Sequence, residues 1–189
     1  MDGGVMLNQA VHDIDCLQWL LGGVDEVRAS LGYRHRDIEC ESAAVLSLRT
    51  ETGAVGSVSA TTATKGGRDR IDLNGTEGSL GLSDTGISYF ETGTGEESYY
   101  GAETESRDVD EEALERAEGH AAVVRDFVDA LREGREPAVP GRAARSAVDV
   151  VLAAYASDER GEAVSVADVR AGQVPEARSG SGEAGPRSE

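Results

Sequence analysis

The sequence predicts an α+β fold with a mostly antiparallel β-sheet. Short segments in which apolar and polar residues alternate follow one another between residues 24 and 90, and glycine turns join several of them. Amphipathic helical segments lie before and after this region. Consecutive strands that are joined by short turns form antiparallel meanders, so the strand region is expected to form such a sheet.

The first element is a glycine turn that leads into an amphipathic helix. Gly3-Gly4 precedes the helical pattern, which ends near Gly22-Gly23. Four residues recur at i, i+4, i+7 and i+11 and therefore share one stripe of the helix: Asn8, His12, Asp15 and Trp19. An apolar face lies beside this stripe and is formed by Val11, Ile14, Leu17, Leu20 and Leu21.

The strands follow this helix. The first three are predicted at residues 24–33, 42–49 and 55–64, with Val27, Ala29 and Leu31 on one face of the first and Ala44, Leu46 and Leu48 on one face of the second. Residues 51–54 form a hairpin turn, in which Gly53 occupies the position that requires a positive φ. Shorter strands are predicted at residues 70–73, 79–82 and 86–90, and a last one at 162–166.

The second half of the chain changes in character. Residues 91–118 carry 11 acidic side chains and two arginines, which predicts a solvated acidic loop. A metal site is the alternative reading of these carboxylates, but scattered acidic residues usually form plain surface. Helices are predicted at 113–131, closed by Gly134 as a left-handed C-cap, and at 142–157. The first 170 residues are expected to form the domain, and residues 171–189 a disordered tail.

The charge of the chain is strongly negative. The formal net charge is −18, from 36 acidic and 18 basic residues, and Lys65 is the single lysine among the latter. Such a surface repels nucleic-acid phosphates and anionic lipids, so we expect neither a nucleic acid nor a membrane as partner. Adaptation to high salt explains this composition. A GC-rich genome is the alternative, but it accounts for arginine replacing lysine and not for the excess of acidic residues.

Stability is expected to depend on salt, because ions screen the repulsion between the carboxylates. The screening length falls from about 30 Å at 0.01 M salt to about 3 Å at 1 M. We expect a cooperative melt by far-UV circular dichroism in molar KCl and unfolding in dilute buffer. Equal stability in the two solutions would show that the salt-adaptation interpretation is wrong.

The two cysteines, Cys16 and Cys40, lack a C-x-x-C partner and are expected to be reduced apolar residues. No apolar run reaches the length of a membrane span, and no charged-then-apolar signal opens the chain. We therefore expect a cytoplasmic protein.

Most chemical motifs are absent from the sequence. It contains no P-loop, no G-x-G-x-x-G between a strand and a helix, no nucleophile elbow and no H-E-x-x-H. The nearest glycine match, residues 93–95, lies in the acidic loop and would repel a pyrophosphate. No cofactor-binding residue and no metal ligand are therefore predicted.

His12 is the remaining candidate for chemistry. An imidazole exchanges protons near neutral pH, Asp15 one turn later can orient it, and Asn8 one turn earlier can bind a substrate hydroxyl. From the residues alone a structural role for His12 is favoured over a catalytic one, because lone histidines are usually structural. His35 and His120 have no comparable neighbours and are expected at the surface.

Four segments resemble, in order, motifs of the Gfo/Idh/MocA family of NAD(P)-dependent sugar and cyclitol oxidoreductases. Residues 3–15 resemble its GG-x-x-x-(D/N)-x-x-x-H-x-x-D segment. Residues 70–79, which follow Thr61-Thr62-Ala63, are similar to its sheet segment that ends in GT-x-GS. Residues 127–137 resemble its F-x-x-A-(I/L)-x-x-G-x-x-P element, and residues 143–155 resemble the helix that follows. The resemblance covers residues 3–166.

The resemblance implies a domain with an open, mostly antiparallel sheet, helices on one face of it, and the other face available as an oligomer interface. It implies a sugar or polyol substrate and NAD or NADP as cofactor. It also implies that His12 takes part in proton transfer and that Asp15 supports it. Asn8 stands where many members have aspartate, and since an amide cannot take a proton, positioning of the substrate is the role that remains.

The resemblance further implies a preceding Rossmann domain with a glycine-rich turn and a lysine in an E-K-P-like motif. Neither precedes Gly3 here, and Lys65 lies in the wrong segment. Three hypotheses follow. In the first, the chain is the substrate and oligomerisation half of a dehydrogenase and is inactive alone, because its nucleotide-binding domain is lost, encoded separately or left out by a wrongly assigned gene start. In the second, it is a non-catalytic self-associating or sugar-binding module. In the third, it is an unstable fragment.

Overall fold

A computed structural model describes residues 3–33, 39–64, 69–83, 86–95, 97–100 and 119–173. Contacts divide the chain into two compact units: residues 1–63 with 145–189 form the first, and residues 64–144 form the second. Each unit contains a four-stranded sheet in which every strand pair is antiparallel. The predicted α+β class with an open, mostly antiparallel sheet is confirmed, although the strands form two sheets and not one.

The first unit begins with a π-helical turn, Met6–Ala10, that continues into α1, Val11–Leu21. Three strands follow, β1 (Val24–Gly32), β2 (Ala43–Thr50) and β3 (Val55–Thr61). The second unit contains β4 (Arg70–Gly75), β5 (Gly78–Ser83), β6 (Gly86–Thr92), β7 (Ser98–Tyr100) and α2 (Gly119–Glu133). Helix α3 (Gly141–Arg160) leads back to the first unit, which ends with β8 (Val164–Ser165) and α4 (Val166–Arg170). Among the helices of the described residues, none has the length and apolar character that a bilayer crossing requires.

The core of the first unit lies between one face of its sheet and the helices. The strand order is β3-β2-β1-β8, and the predicted alternation of β1 and β2 is confirmed because their apolar residues point to this face. Helix α3 contributes a fully buried stripe and α1 contributes Ile14. The buried side chains include Val27, Leu46, Leu48, Val58, Val150, Val151, Ala154, Val166 and Val169. The opposite face of the sheet is exposed.

Side chains of α3 complete the hydrogen bonding of β1. Strand β8 pairs with β1 at two positions, and beyond it the amides of Ala29 and Leu31 point away from β2. Ser157 Oγ accepts the hydrogen bond of the Ala29 amide at 2.9 Å, and Asp158 Oδ1 accepts that of Leu31 at 2.8 Å. The edge of the strand is therefore satisfied by a helix, which removes a template for pairing with another chain.

A buried carboxylate joins α3 to α4. Asp149 is 2 % exposed, and its two oxygens accept hydrogen bonds from Arg145 Nε at 3.3 Å and Arg170 Nε at 3.0 Å. Arg145 also donates to the backbone oxygen of Arg170. A buried carboxylate needs such charged partners because burial without them is costly.

In the second unit, the absence of a side chain at Gly81 leaves room for the ring of Tyr89 on the neighbouring strand. The strand order is β4-β5-β6-β7. Tyr89 lies over Gly81, where a Cβ would overlap the ring, and its hydroxyl donates to Asp72 Oδ1 at 3.1 Å. Arg70 donates to the same carboxylate and lies over the Tyr89 ring, with its guanidinium carbon 5.7 Å from the ring centre.

The structure differs from the prediction in several elements. The consecutive strands divide between two sheets, since β3 ends at residue 61 and β4 begins at residue 70, a connection longer than a hairpin turn. The predicted loop from residue 91 contains β7, which pairs with β6 and places Tyr99 against Phe90 with ring centres 6.2 Å apart. Residues 101–118 of that loop, the predicted start of α2 at 113, and residues 174–189 of the predicted tail lie outside the described residues.

Glycine positions were predicted more accurately. Gly53 and Gly134 have φ values of +86° and +67°, as the hairpin turn and the C-cap require. Helix α2 ends at Glu133, directly before Gly134. Local turn chemistry was therefore readable from the sequence.

We expect the second unit to lose stability in acid, because the stabilising contacts of the Asp126 carboxylate are lost there. This carboxylate accepts hydrogen bonds from the Ala138 amide at 2.7 Å and from Arg135 at 2.9 Å, and these contacts hold the pKa of Asp126 below its usual 3.8. The contribution is therefore present above the unfolded-state pKa and is lost as pH falls through the lower folded-state pKa. Carbon-13 NMR titration of the carboxyl group measures this.

The matched control is Asp129, whose carboxylate lies 3.4 Å from Arg132 on the same helix. The stability difference between the wild type and Asp126→Asn should shrink as the pH falls below the unfolded-state pKa. At neutral pH, Asp126→Asn should lower stability more than Asp129→Asn does, because Asp126 loses an amide and an arginine partner and Asp129 loses one arginine. A titration of Asp126 at or above the ordinary aspartate pKa would contradict this prediction.

Candidate functional site

The start of the first helix is held by Glu41, which lies just before β2. The Val5 amide donates to the backbone oxygen of Glu41 at 3.0 Å, and the Met6 amide donates to Glu41 Oε1 at 2.9 Å. Gly4 leaves room for this side chain, because a Cβ at Gly4 would overlap the Glu41 carboxylate. A side chain is excluded at Gly3 as well, since a Cβ there would lie 2.6 Å from Leu7 Cβ. The Gly-Gly pair is thus required by close packing.

A π-helical turn then carries the chain into α1. The Val11 amide donates to the Met6 oxygen, five residues earlier, and the Asn8 amide donates to Gly4. Such turns are rare in proteins as a whole, and those that occur often lie at functional sites. The sequence predicted a regular helix here, so the π turn is a finding of the structure. Asn8 lies inside it.

The predicted stripe lies on the outer face of this helix. Asn8, His12 and Asp15 are all exposed, and Trp19 is 83 % exposed. Within the described part of the chain, no side-chain hydrogen bond joins any of the three polar residues to another. The structure therefore brings them to one surface with their polar atoms available to a ligand, and it does not show Asp15 in contact with the His12 ring.

Glu41 and Tyr155 are neighbours of this site that the sequence analysis missed. Glu41 is 3 % exposed and its Oε1 also accepts a hydrogen bond from Tyr155 Oη at 3.0 Å. Burial, and then the Glu41 charge, raise the pKa of Tyr155 well above its usual 10, so the phenol remains a donor. No local motif marks this pair, because its members are separated by 114 residues.

Cys16 lies one residue after Asp15, and neither Cys16 nor Cys40 forms a disulfide. Burial, together with the nearby carboxylates of Asp13 and Asp15, raises the pKa of the Cys16 thiol. The thiol therefore stays protonated at neutral pH and is a poor nucleophile.

The chemistry available at this surface is that of a proton-transfer and hydrogen-bonding site. His12 can accept or donate a proton, and the Asn8 amide can donate and accept hydrogen bonds to hydroxyl groups. Among the described residues no group of three His, Cys, Asp or Glu side chains is arranged to hold a metal ion. Lys65, His35 and the side chain of His120 lie outside what the structure describes.

Comparison with solved structures gives the same fold in several dehydrogenases. The WlbA dehydrogenase from Bordetella pertussis, solved in complex with NADH and UDP-GlcNAcA, is 27 % identical with a TM-score of 0.68; the match covers 87 % of this chain and 48 % of that one. The WlbA enzyme from Chromobacterium violaceum, solved with the same ligands, is 28 % identical with a TM-score of 0.69 and coverages of 87 % and 46 %.

A third similar structure is an oxidoreductase from Agrobacterium radiobacter in complex with NAD+, L-tartaric acid and magnesium. It is 24 % identical with a TM-score of 0.66, and the match covers 85 % of this chain and 48 % of that one, a likeness that shows the fold alone. The chain thus spans about half the length of the structures it matches. No curated protein sequence gave a match.

The family comparison agrees with the structural one. The model of the Gfo/Idh/MocA family described as "Oxidoreductase family, C-terminal alpha/beta domain" matches residues 1–166. This range contains the Gly-Gly pair, the π turn, His12 and both sheets. The chain therefore belongs to the Gfo/Idh/MocA oxidoreductase family and corresponds to its C-terminal alpha/beta domain.

Proposed function

We propose that this chain is the substrate-binding and oligomerisation domain of a NAD(P)-dependent oxidoreductase that acts on a sugar or polyol. The observation that carries the proposal is the exposed Asn8–His12–Asp15 surface on a helix whose start is fixed by buried contacts. Catalytic groups need such a fixed support, because a small displacement of a reacting group is costly.

Each of the three residues has a role in this proposal. A bound nicotinamide would supply the hydride acceptor for the substrate carbinol carbon. The proton of the same hydroxyl passes to the His12 imidazole, so that the alcohol becomes a carbonyl. Asn8 donates a hydrogen bond to a substrate hydroxyl, and Asp15 stabilises the protonated imidazole from one turn away.

The nucleotide is held by a Rossmann domain that is not among residues 1–189. The family match to a C-terminal domain and the coverage of about half of each similar structure support this. Trp19, 83 % exposed, and Leu7, 39 % exposed, are apolar side chains on the same helical segment as His12 and are available to that domain. The cofactor is NAD or NADP, the 189-residue chain is inactive alone, and the assembly is cytoplasmic.

The exposed face of the first sheet is the proposed contact between copies of the chain. Val45 and Val55 are 55 % and 72 % exposed there, and Ser47 and Ser57 lie between them as small side chains. Exposed valines and short serines allow a second sheet to approach closely at this part of the face, and the charged side chains of Glu26, Arg28 and Arg49 lie beside them. Sedimentation equilibrium in molar KCl tests this, and Val45→Lys is expected to give a monomer.

Ligand binding by the purified chain tests the substrate role. We expect UDP-GlcNAcA, the sugar nucleotide bound by the WlbA dehydrogenases, to shift the NMR signals of the Asn8 side-chain amide and the His12 ring. NADH alone should leave those signals unchanged, and its fluorescence should not respond to the chain. Binding of UDP-GlcNAcA elsewhere, with no change at His12 or Asn8, would contradict the proposal.

A non-catalytic module is the second candidate. The amide of Asn8, which cannot take a proton, and the exposed sheet face favour it. It predicts a folded oligomer that gives no NAD(P)H signal with any sugar even when a nucleotide-binding domain is supplied. Hydride transfer by such an assembly would exclude this candidate.

A further inference from the structure

The start of the helix that carries His12 is held by the backbone hydrogen bond of the Val5 amide, by the buried side chains of Val5, Met6 and Ala10, and by one buried carboxylate, that of Glu41. Met6 is fully buried and is held through both of its backbone groups: its amide donates to Glu41 Oε1, and its oxygen accepts from the Val11 amide. The first bond is made at residue 6 and the second closes at residue 11, so Asn8 lies between these two positions in the chain. The two bonds determine where the π turn begins and at which angle α1 leaves it.

Glu41 is in turn fixed by a different element. Tyr155 on α3 donates its hydroxyl hydrogen to the oxygen atom that binds Met6, and the two bonds measure 3.0 Å and 2.9 Å. Gly4 closes over the carboxylate, since any side chain there would displace it. The position of the carboxylate therefore depends on α3 and the Gly-Gly pair together.

We propose that Glu41, held by Tyr155, is a positioning residue for Asn8 and His12. This inference rests on the proposed function, because it assigns to Glu41 the orientation of the same site. A carboxylate is suited to this task, since it accepts hydrogen bonds from the free amides at a helix start and is attracted by the helix dipole. Glu41 does not lie on the exposed surface, so it acts through the helix.

The position of α1 is sensitive to this contact because α1 has few other polar anchors at its start. The N-cap residue of the π turn, Val5, makes no side-chain cap bond, and the first buried apolar side chain beyond Ala10 is Ile14. Loss of the Glu41 bond leaves the Met6 amide buried without its partner. The start of the helix then has to shift to reach water, and Asn8 and His12 shift with it.

The test compares four variants of the whole chain in molar KCl. Glu41→Leu removes both hydrogen bonds, Tyr155→Phe removes one, and Glu41→Gln keeps an acceptor of the same shape. Asp149→Asn is the matched control, because it alters a carboxylate of equal burial in the same unit that contacts α3 and α4 instead of α1. NMR records the exchange rate of the Met6 amide and the ring signals of His12, and urea denaturation records stability separately.

Glu41→Leu is expected to speed Met6 amide exchange by about tenfold or more and to move the His12 ring signals. Tyr155→Phe should change the Met6 exchange rate and the His12 signals in the same direction but by less. Glu41→Gln should give an exchange rate and ring signals near those of the wild type. Asp149→Asn should lower stability and leave both readouts unchanged.

The proposal is overturned if a folded Glu41→Leu variant retains the wild-type exchange rate and His12 signals. It is also overturned if Asp149→Asn moves them as much. If Glu41→Leu does not fold, Tyr155→Phe decides, and unchanged readouts in that variant reject the proposal. None of these measurements needs a sugar or turnover, so their failure is distinct from a failure of UDP-GlcNAcA to bind, which counts against the proposed function.

Discussion

Replacing His12 by alanine is expected to lower the rate of hydride transfer by about 10²–10⁴-fold in an enzyme that joins this chain to the nucleotide-binding half of the Bordetella pertussis dehydrogenase. In the proposed mechanism, the substrate hydroxyl would lose its proton acceptor in the transition state. Because His12 is exposed and makes no side-chain hydrogen bond within the described residues, its removal should leave the fold intact. Stopped-flow detection of NADH formation at 340 nm measures the step.

The matched control for His12 is Gln9, an exposed residue of the same π turn outside the proposed stripe. Gln9→Ala should retain kcat within about twofold, as surface substitutions away from special features do. Asn8→Ala should raise KM more than it lowers kcat if the amide serves binding. A His12→Ala enzyme with full activity would remove His12 from the mechanism.

Gly4→Ala is expected to destabilise the first unit by about 2–5 kcal/mol. A methyl group at this position overlaps the Glu41 carboxylate, which is buried and cannot move aside without losing Met6 and Tyr155. The cost combines overpacking with a buried amide that loses its acceptor. Urea denaturation in molar KCl, followed by far-UV circular dichroism, measures it.

Gly56→Ala is the control for this substitution. Gly56 lies in β3 of the same unit, and a Cβ there would have open space around it. Its φ is not among the positive values, so alanine fits the backbone and should be neutral or slightly stabilising. If Gly4→Ala and Gly56→Ala change the free energy of unfolding equally, the overlap with the Glu41 carboxylate does not destabilise the protein.

Patterns of short range were readable from the sequence. The spacing of Asn8, His12 and Asp15 placed them on one helix face, and the structure exposes all three. Gly53 and Gly134 were predicted to have positive φ and do. The alternation in β1 and β2 predicted which side chains are buried. These features depend on residues within a few positions of each other, so the local sequence contains the information.

Contacts between distant residues were decided by the tertiary structure alone. Glu41 is 35 residues from Met6 and 114 from Tyr155, and no local pattern distinguishes it among the 36 acidic residues of the chain. The π turn and the division of the strands between two sheets were likewise not visible. The sequence thus determined the helix face that carries His12. Where that face begins was decided by the Glu41 carboxylate, which Tyr155 of α3 holds against the helix start, because a buried amide must find its acceptor wherever the fold brings one.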